Sequence, residues 1–472
     1  MIDPRFALAR AVAVLLRRAG RGATSLPGRL LIRLDPHALG RLGTRLPLGS
    51  ALISATNGKT TTAALAVSIL ERRGVSLVHN RAGANMAGGV ASALLESLAR
   101  GGRLAGDLGL FEVDEFWFDR VIAELHPRAL VLGNLFRDQL DRYGELDAVA
   151  DRWAAVLASG AGRRAQLALN ADDPLIADLG RDRDDAIFFG VEDDGVAQPG
   201  LEHASDSKHC RRCGAPYVYD AVYLGHLGRY HCPSCGASRP APAIAAENVR
   251  LQGLSGSRFR LRTAGGSREV QLPLPGLYNV YNALAATALT LALGCELDDV
   301  VAGLESTRPA FGRAESVQVG ARELRILLVK NPAGANEVMR TLALEPGEHD
   351  LLGILNDNVA DGRDVSWIWD ADFETLAPRV RRATCSGTRA AELALRLKYA
   401  GVPGARIQVQ SSVPAALDAA LADPRPGSSE DGRSRTEGPT NHRPLYAIPT
   451  YTAMLELREV LRARGHVQSS WA

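Results

Sequence analysis

Residues 53–62 read I-S-A-T-N-G-K-T-T-T, in which Gly58, Lys59 and Thr60 have the composition of a phosphate-binding loop. In such a loop the backbone N–H groups at a helix start bind phosphate oxygens, the lysine reaches the β- and γ-phosphates, and the hydroxyl ligates Mg²⁺. Apolar residues at 51–53 and 63–67 predict the strand before the loop and the helix after it. We therefore expect a nucleoside triphosphate to bind here.

Four cysteines form two C-x-x-C pairs, Cys210 with Cys213 and Cys232 with Cys235. Thiolates at this spacing are typical of a closed tetrahedral Zn²⁺ site that stabilises a small β module, and a site with four cysteine ligands is structural rather than catalytic. Disulfides are the alternative, which a reducing cytoplasm disfavours. Zinc ribbons also contact nucleic acids, but this module lacks a concentrated basic patch, so no nucleic acid is expected. Nearby histidines are either spare ligands or, as the favoured interpretation, groups at the surface or around the ligands: His203, His209, His226 and His231.

The other two cysteines give weaker signals. Cys385, in A-T-C-S-G, follows a predicted strand at a turn where a nucleophile can lie. The glycine two residues before it is missing and no histidine is close in sequence, so a nucleophilic role is the less favoured interpretation. Cys295 is expected to be a small buried residue.

Strands and helices alternate from residue 49 to about residue 190, which predicts a parallel sheet that binds ligands at the carboxyl ends of its strands. Glu112 ends one predicted strand. Asp114 follows the same strand. Polar residues after later strands are either substrate or second-metal contacts or simply solvated groups: Asn134, Arg137, Asp138 and Asp173.

The pattern predicts an α/β protein in three parts. Residues 1–48 form an N-terminal helical segment, and residues 49–312 form the nucleotide-binding domain. Short alternating runs over 203–274 look like an inserted antiparallel module, with the zinc ribbon at about 203–240. Residues 313–472 form a second α/β domain, in which 423–443 has almost no apolar residues and is predicted to be disordered.

The chain has 472 residues, 46% of them hydrophobic, and a net charge of +2. These values are ordinary for a soluble globular protein and give no general basic field. The apolar run at 11–16 is too short to cross a membrane, and no signal peptide is recognised, so we expect a cytoplasmic protein. A helix over about 4–18 either packs on its own domain, as amphipathic helices more commonly do, or lies on an anionic membrane surface.

Several motifs together resemble the ATP-dependent Mur ligases. They are A-T-N-G-K-T-T-T, Glu112, N-A-D-D-P at 170–174, Y-N-V-Y-N-A-L-A-A at 278–286 and F-G-R-A-E at 311–315. Two further features resemble the MurT family of synthetase subunits. Only about fifty residues precede the loop, and a four-cysteine zinc module is inserted in the central domain. K-N-P-A-G-A-N-E at 330–337 and the run at 355–370 resemble the C-terminal domain of that family. Two positions differ from the usual pattern of the Mur ligases. Ala55 stands where the phosphate-binding loop usually has glycine, and Lys330 stands where the C-terminal domain usually has histidine.

The resemblance implies the fold of a Mur ligase and the amidation of D-glutamate in the lipid II stem peptide to D-isoglutamine, with ATP, Mg²⁺ and structural Zn²⁺ as cofactors. Thr60 and Glu112 would hold Mg²⁺, and Lys59 and Glu112 would be catalytic. Arg313 would steady the transferred charge. The expected ATP-binding residues are Thr56, Asn57, Gly58, Lys59, Thr60, Thr61, Asn279, Asn282 and Arg313. For Asn279 and Asn282, expected to face adenine, helix N-terminal capping is the alternative.

The resemblance also implies a GatD-type glutaminase as heterodimer partner and ammonia source, and lipid II at the membrane face as substrate. Asp364 would orient the partner's catalytic histidine, with Asp357 and Asp361 as rivals. Two other functions remain open at this point. One is an amino-acid-adding Mur-type ligase, and the other is a phosphate-loop NTPase that binds nucleic acid through the zinc ribbon.

Overall fold

The computed structural model describes residues 3–18, 24–80, 83–99, 101–138, 146–202, 205–307, 313–422 and 443–467, without the side chains of residues 17, 18, 313 and 314. The chain divides into two compact units, residues 1–308 and 309–472. The segment predicted to be disordered, 423–443, lies outside the described residues except for Arg443. Within the described ranges, no helix combines the length and apolar character needed to cross a bilayer.

Three helices open the first unit, α1 (Pro4–Arg18), α2 (Leu26–Leu34) and α3 (Ala38–Gly43). Helix α2 packs tightly on α5 (Ala87–Glu96), because a Cβ added to Gly28 would lie 1.9 Å from the carbonyl oxygen of Gly88. The Gly28 N–H also donates to Ser92 Oγ at 2.9 Å. Two facing glycines therefore let the helix backbones touch, and α2 is held firmly against the domain.

A nine-stranded sheet forms the centre of the first unit, in the order β11-β10-β9-β6-β5-β4-β1-β3-β2. In this sheet order, every neighbouring pair from β9 across to β2 is parallel. Their bounds are β1 (Ser50–Ser54), β2 (Leu77–His79), β3 (Leu108–Glu112), β4 (Ala129–Leu132), β5 (Gln166–Asn170), β6 (Ile187–Val191), β9 (Ile244–Leu251), β10 (Ser257–Thr263) and β11 (Gly266–Leu272). Every residue of β1, β3 and β4 is buried, as expected of parallel strands covered on both faces.

Helices cover this sheet and supply the site. They are α4 (Lys59–Arg72), α6 (Phe118–Leu125), α7 (Leu146–Ala158), α8 (Gly160–Arg164), α9 (Pro174–Asp178), α10 (Leu277–Ala292) and α11 (Leu297–Ser306). Helix α10 is buried along most of its length and packs against α4 and the sheet. The helix that follows the phosphate-binding loop thus contacts both the sheet and α10.

The zinc module contains a separate hairpin of β7 (Val218–Leu224) and β8 (Leu227–His231). Strands β9, β10 and β11 belong instead to the main sheet, so the prediction of one inserted antiparallel module over 203–274 was wrong beyond the ribbon. The reason is that β9 pairs in parallel with β6, with Phe189 opposite Ile244. The antiparallel pairs of β10 then extend the same sheet.

The second unit is built on a six-stranded sheet in the order β12-β13-β17-β14-β15-β16. Its strands are β12 (Arg313–Val319), β13 (Arg322–Leu327), β14 (His349–Ile354), β15 (Val380–Ser386), β16 (Ile407–Val409) and β17 (Leu445–Pro449). Among the described strands of this unit, only β12 and β13 pair antiparallel. The flanking helices are α12 (Pro332–Ala343), α13 (Ala390–Tyr399), α14 (Val413–Leu421) and α15 (Tyr451–Ala463). The predicted α/β fold class is confirmed in both units.

Candidate functional site

The phosphate-binding loop lies between the end of β1 and the first turn of α4, as predicted. Gly58 precedes the helix with φ +92°, in the left-handed region that favours glycine. A Cβ at this position would lie 1.9 Å from Asn282 Oδ1. Residue 58 must therefore be glycine both for its backbone and for the approach of α10. Thr61, one of the expected phosphate contacts, is buried in the first turn of α4.

Asn134, at the end of the neighbouring strand β4, fixes the shape of the loop. The Thr56 N–H donates to the carbonyl oxygen of Asn134 at 2.9 Å, and the Asn57 N–H donates to Asn134 Oδ1 at 2.8 Å. Asn134 Nδ2 donates in return to the carbonyl oxygen of Asn57 at 3.1 Å. Asn134 is buried. It therefore positions the loop and is not a solvated strand-end group.

Lys59 is buried at the centre of the site. Its Nζ donates to the carbonyl oxygens of Ala55 and Thr56 and forms an ion pair with Glu115 Oε2 at 3.0 Å. Burial alone would lower the pKa of Lys59, but the carboxylates of Glu115, Asp114 and Glu112 outweigh it and raise the pKa. Lys59 is thus a permanent cation. Sequence reasoning missed Glu115, whose signal was an acidic residue three positions after Glu112.

Thr60 and Glu112 meet as expected of a metal-binding pair. Thr60 Oγ1 donates to Glu112 Oε2 at 2.8 Å, and Glu112 is buried at the end of β3. Asn80, directly after β2, holds the backbone of Glu112. The Glu112 N–H donates to Asn80 Oδ1 at 3.0 Å, and Asn80 Nδ2 donates to the carbonyl oxygen of Glu112 at 2.8 Å. A hydroxyl and a carboxylate are hard oxygen ligands, which fit Mg²⁺. Asn80 is a second positioning residue that sequence reasoning missed.

Asn279 and Asn282 lie on α10 and support the loop from the other side. Asn282 Nδ2 donates to Asn279 Oδ1 at 3.0 Å, and Asn279 Nδ2 donates to the carbonyl oxygen of Pro275 at 2.7 Å. The N-cap of α10 is Gly276, so helix capping by these asparagines was the wrong alternative. The side chain of Arg313 lies outside the described residues, and its backbone begins β12.

The four cysteines converge on one point. The Sγ atoms of Cys210 and Cys235 are 3.6 Å apart, those of Cys213 and Cys232 are 3.4 Å apart, and all four lie within 4.8 Å of one another. A disulfide needs about 2.05 Å, whereas sulfurs around Zn²⁺ at bonds of about 2.3 Å lie roughly 3.8 Å apart. The thiols are free, and this donor set fits Zn²⁺.

The zinc module docks on the strand-end loop that holds the phosphate-binding loop. His226, between β7 and β8, is completely buried, with Nε2 at 3.4 Å from Asp173 Oδ2 and its ring 4.6 Å from that of Phe136. The Phe136 N–H donates to Thr56 Oγ1 at 3.1 Å. Arg137 forms an ion pair with Asp206. His226 is therefore an internal contact between module and site, not a surface group.

Asp173, which follows β5, has structural partners. Asp173 is the N-cap of α9 and accepts from the N–H groups of Leu175 and Leu135. Burial would lower the pKa of His226, but Asp173, Asp206 and Glu202 outweigh it and raise the pKa. Asp173 is thus a buried counter-charge and helix cap, and the idea that it is a solvated group was wrong.

The three aspartates considered for the C-terminal unit differ in environment. Asp361 is buried and accepts from the N–H and the hydroxyl of Thr452. Asp357 accepts from Thr388 Oγ1 at 2.8 Å and pairs with Arg389 at 3.1 Å. Asp364 is exposed, and the N–H of Ser366 donates to its Oδ1 at 2.8 Å, which lowers its pKa. Asp364 is therefore ionised and accessible at neutral pH.

Cys385 lies at the end of β15 and is buried. Burial raises the pKa of its thiol to about 12, so it stays protonated at neutral pH. This environment is that of a structural cysteine and argues against the nucleophilic role.

Comparison with known proteins agrees with the geometry in both units. The Mur ligase middle domain family matches residues 53–232, and the MurT ligase C-terminal family matches residues 328–454. The lipid II isoglutaminyl synthase (glutamine-hydrolyzing) subunit MurT of Streptococcus pneumoniae is 32% identical over 96% of this chain and 95% of its own. The protein of the same name from Staphylococcus aureus is 33% identical over 84% of this chain and 87% of its own. Among solved structures, a pseudomurein peptide ligase type C from Methanothermus fervidus superposes with a TM-score of 0.64 at 22% identity, over 88% of this chain and 79% of its own, which shows the shared fold.

Proposed function

Because the chain belongs to the MurT family of lipid II isoglutaminyl synthase subunits, we propose that it catalyses the ATP-dependent amidation of the D-glutamate α-carboxylate in the lipid II stem peptide. It is a ligase of peptidoglycan synthesis. The observation that carries the proposed chemistry is the cluster of Lys59, Thr60 and Glu112 at the ends of adjacent parallel strands.

The reaction needs an activated carboxylate, because an ionised carboxylate has no leaving group for ammonia to displace. One carboxylate oxygen would attack the γ-phosphorus of ATP, which forms an acyl phosphate and releases ADP. Ammonia would then attack the carbonyl carbon, lose a proton and expel phosphate. One oxygen of the original carboxylate therefore leaves in the phosphate, and D-isoglutamine remains in the stem peptide.

The residues around the loop fit this chemistry. The N–H groups from Gly58 to Thr61 would bind phosphate oxygens, and Lys59 would contact the β- and γ-phosphates, with Thr56 and Asn57 shaping the loop. Its raised pKa keeps Lys59 charged for this role. Thr60 and Glu112 would hold Mg²⁺, which neutralises phosphate charge when bound. Arg313 would stabilise the transferred phosphoryl group, and Asn279 and Asn282 would line the nucleotide side of α10.

We assign the other parts of the chain as follows. Residues 1–48 form the N-terminal helical segment, residues 49–312 the ATP-binding domain with the ribbon at about 203–240, and residues 313–472 the C-terminal domain. Zn²⁺ at Cys210, Cys213, Cys232 and Cys235 would be structural, because the four thiols leave no open ligand position. The protein would work in the cytoplasm at the membrane face, where its lipid-linked substrate is held.

Ammonia would come from a partner subunit, because the relatives from Streptococcus pneumoniae and Staphylococcus aureus are each named as one subunit of a glutamine-hydrolyzing synthase. We propose a GatD-type glutaminase that forms a heterodimer with this chain. Asp364 would accept a hydrogen bond from the partner's catalytic histidine and fix its tautomer. Its exposure supports this choice over Asp357 and Asp361, whose carboxylates accept hydrogen bonds from the hydroxyls of Thr388 and Thr452 in their own unit.

The direct test is an assay of the purified chain with ATP, Mg²⁺, ammonium and lipid II. The expected product is the D-isoglutamine form of lipid II with one ADP released per amide, and Lys59→Ala should reduce the rate by at least about a hundredfold. Glu71→Gln, an exposed change on the same helix, is the matched control. Product formation that requires an amino acid and ignores ammonium would instead support an amino-acid-adding ligase.

A further inference from the structure

The N-terminal 48 residues carry a charge that the rest of the chain does not share. They contain nine arginines, two aspartates and no lysine or glutamate, which gives a net charge of +7. Because the whole chain has a net charge of +2, the remaining residues carry −5. Both aspartates of the segment already bind Arg41, at 2.6 and 2.7 Å. The excess positive charge is therefore concentrated on this segment and is not neutralised within it.

The same segment exposes an unusual number of large apolar side chains. Fourteen such side chains are exposed among the described residues, and six of them fall within this tenth of the chain: Leu8, Val14, Leu15, Leu26, Leu34 and Leu48. Leu15 is 64% exposed, Leu8 53% and Leu26 51%. Single exposed leucines are ordinary on protein surfaces, but a concentration of this kind marks an interaction surface.

Helix α1 has two apolar sides. Phe6, Ala9 and Ala13 are buried, so this side packs on the domain, as the commoner alternative for an amphipathic helix predicts. Leu8 and Leu15 lie seven residues apart, two helical turns, and share an outward side. Packing on the domain therefore accounts for only one side of α1.

Helix α2 combines leucines and arginines on its outward side. Leu26, Leu30 and Leu34 follow each other at intervals of four residues, and Arg29 and Arg33 lie next to them and are exposed. Among the described residues, neither arginine has an acidic partner. The contact of Gly28 with Gly88 fixes α2 on α5, so the helix cannot turn its leucines inward.

We propose that the outward sides of α1 and α2, here called the N-terminal basic face, form a docking surface for an anionic lipid bilayer. Leu8, Leu15 and Leu26 would enter the boundary between headgroups and acyl chains, while Arg29 and Arg33 contact lipid phosphates. Apolar side chains next to arginines are the composition that binds such interfaces, and each arginine near an anionic surface adds attraction. A protein partner would match the leucines equally well, but the charge of +7 favours a surface with many negative charges.

This inference deepens the proposed function, because a surface that binds lipid would bring the site to a lipid-linked stem peptide. Its test needs neither ATP nor substrate. The full-length chain is sedimented with vesicles of phosphatidylcholine that contain about 30% of the anionic lipid phosphatidylglycerol, and with vesicles of phosphatidylcholine alone. Binding should require the anionic lipid and weaken as salt rises through the screening range.

Matched variants separate the face from the rest of the surface. Leu15→Asp with Leu26→Asp should reduce vesicle binding at least about tenfold, whereas Leu344→Asp with Leu395→Asp should leave it unchanged. Arg29→Gln with Arg33→Gln should reduce binding by roughly tenfold or more, and Arg103→Gln with Arg250→Gln removes equal charge from other exposed positions. Thermal unfolding of each variant checks that it is folded.

Equal binding by both pairs of leucine variants, or equal binding to both kinds of vesicle, would overturn the proposal. So would specific, saturable capture of a protein by this face with no vesicle binding. Amidation of a water-soluble, lipid-free stem peptide should be unchanged in the leucine variants, while amidation of lipid II in anionic vesicles should show a raised KM. Loss of both activities would argue against the docking role, and failure of the unchanged chain to amidate either substrate would argue against the proposed function alone.

Discussion

Ala55 and Gly133 form a matched pair beneath the phosphate-binding loop. The sequence shows Ala55 where related loops have glycine, and its methyl group faces Gly133, directly after the neighbouring strand β4, where an added Cβ would lie only 3.0 Å away. We expect Gly133→Ala to lower the free energy of unfolding by about 1–2 kcal/mol, because overpacking forces the two strands apart. Chemical denaturation measures this loss.

The double variant supplies the control for that prediction. Ala55→Gly removes the facing methyl group, so Gly133→Ala in the Ala55→Gly background should cost clearly less than in the unchanged chain. Additive losses in the two backgrounds would show that the methyl groups do not compete for the same space.

Glu115 forms the ion pair with the buried Lys59, with 3.0 Å between Oε2 and Nζ. Glu115→Gln leaves a buried ammonium without its closest carboxylate, so we expect the nucleotide-free chain to lose about 1–3 kcal/mol of stability. ATP with Mg²⁺ should restore part of the loss, since phosphates then pair with Lys59. Thermal unfolding with and without nucleotide tests this. An equal effect of the exposed Glu71→Gln would contradict a specific role for Glu115.

Asp364 offers a third test at the residue scale. In a complex with a class I glutaminase, Asp364→Asn should leave assembly intact but reduce glutamine-dependent amidation by at least about a hundredfold, because the partner's histidine loses its orienting carboxylate. Amidation with added ammonium should persist. Undiminished glutamine hydrolysis by the variant complex would contradict the role assigned to Asp364. Asp370→Asn, an exposed change six residues away, is the control.

Short-range signals explain which site residues the sequence could predict. Gly58, Lys59 and Thr60 carry their chemistry in adjacent positions, and the two C-x-x-C pairs do the same for the metal site. The role of Asn134 could not be predicted, because it depends on an approach to Asn57 from 77 positions away in the chain. Such contacts follow from the pairing of β1 with β4, which local patterns do not determine.

At the scale of elements, the zinc module and the nucleotide site are joined through one loop. His226 and Asp206 of the module contact Phe136 and Arg137, and Phe136 donates to Thr56 of the phosphate-binding loop. The hairpin turn fits closely here, since a Cβ on Gly225 would lie 2.8 Å from the Phe136 ring. A module without metal would therefore loosen the loop that shapes the nucleotide site.

Cys213→Ser should remove one of four zinc ligands and with it most of the bound metal. We expect the KM for ATP to rise about three- to tenfold, and amide exchange to quicken in peptides that cover 134–138, because the module no longer holds that loop. Metal analysis and hydrogen exchange measure the two effects. Cys295→Ser is the matched control, and exchange that is faster only inside the module would contradict the coupling.

The type of an element could be predicted where one spacing of apolar residues continues over its length. The alternation of strands and helices from residue 49 to about residue 190 predicted a parallel sheet, and β1, β3, β4, β5 and β6 form it. The strands β9 to β11 were assigned to the inserted module, because alternating patterns reveal a strand but not its partner. Pairing of β9 with β6 is decided by tertiary contacts, which only the structure shows.

On the scale of the whole molecule, the two compact units each match their own family, the first a Mur ligase middle domain and the second a MurT C-terminal domain. The sequence was sufficient for the fold class and the family. The excess of arginines in residues 1–48 is visible in the sequence. The concentration of exposed leucines on the first two helices is not, since exposure depends on which side of each helix the domain covers.

The transfer of oxygen tests the central claim most directly. Lipid II whose D-glutamate α-carboxylate carries heavy oxygen is incubated with the purified chain, ATP, Mg²⁺ and ammonium, and the phosphate released is examined by mass spectrometry. If the chain activates the carboxylate as an acyl phosphate, one heavy oxygen appears in phosphate for each amide formed. Amide formation with unlabelled phosphate would contradict the account.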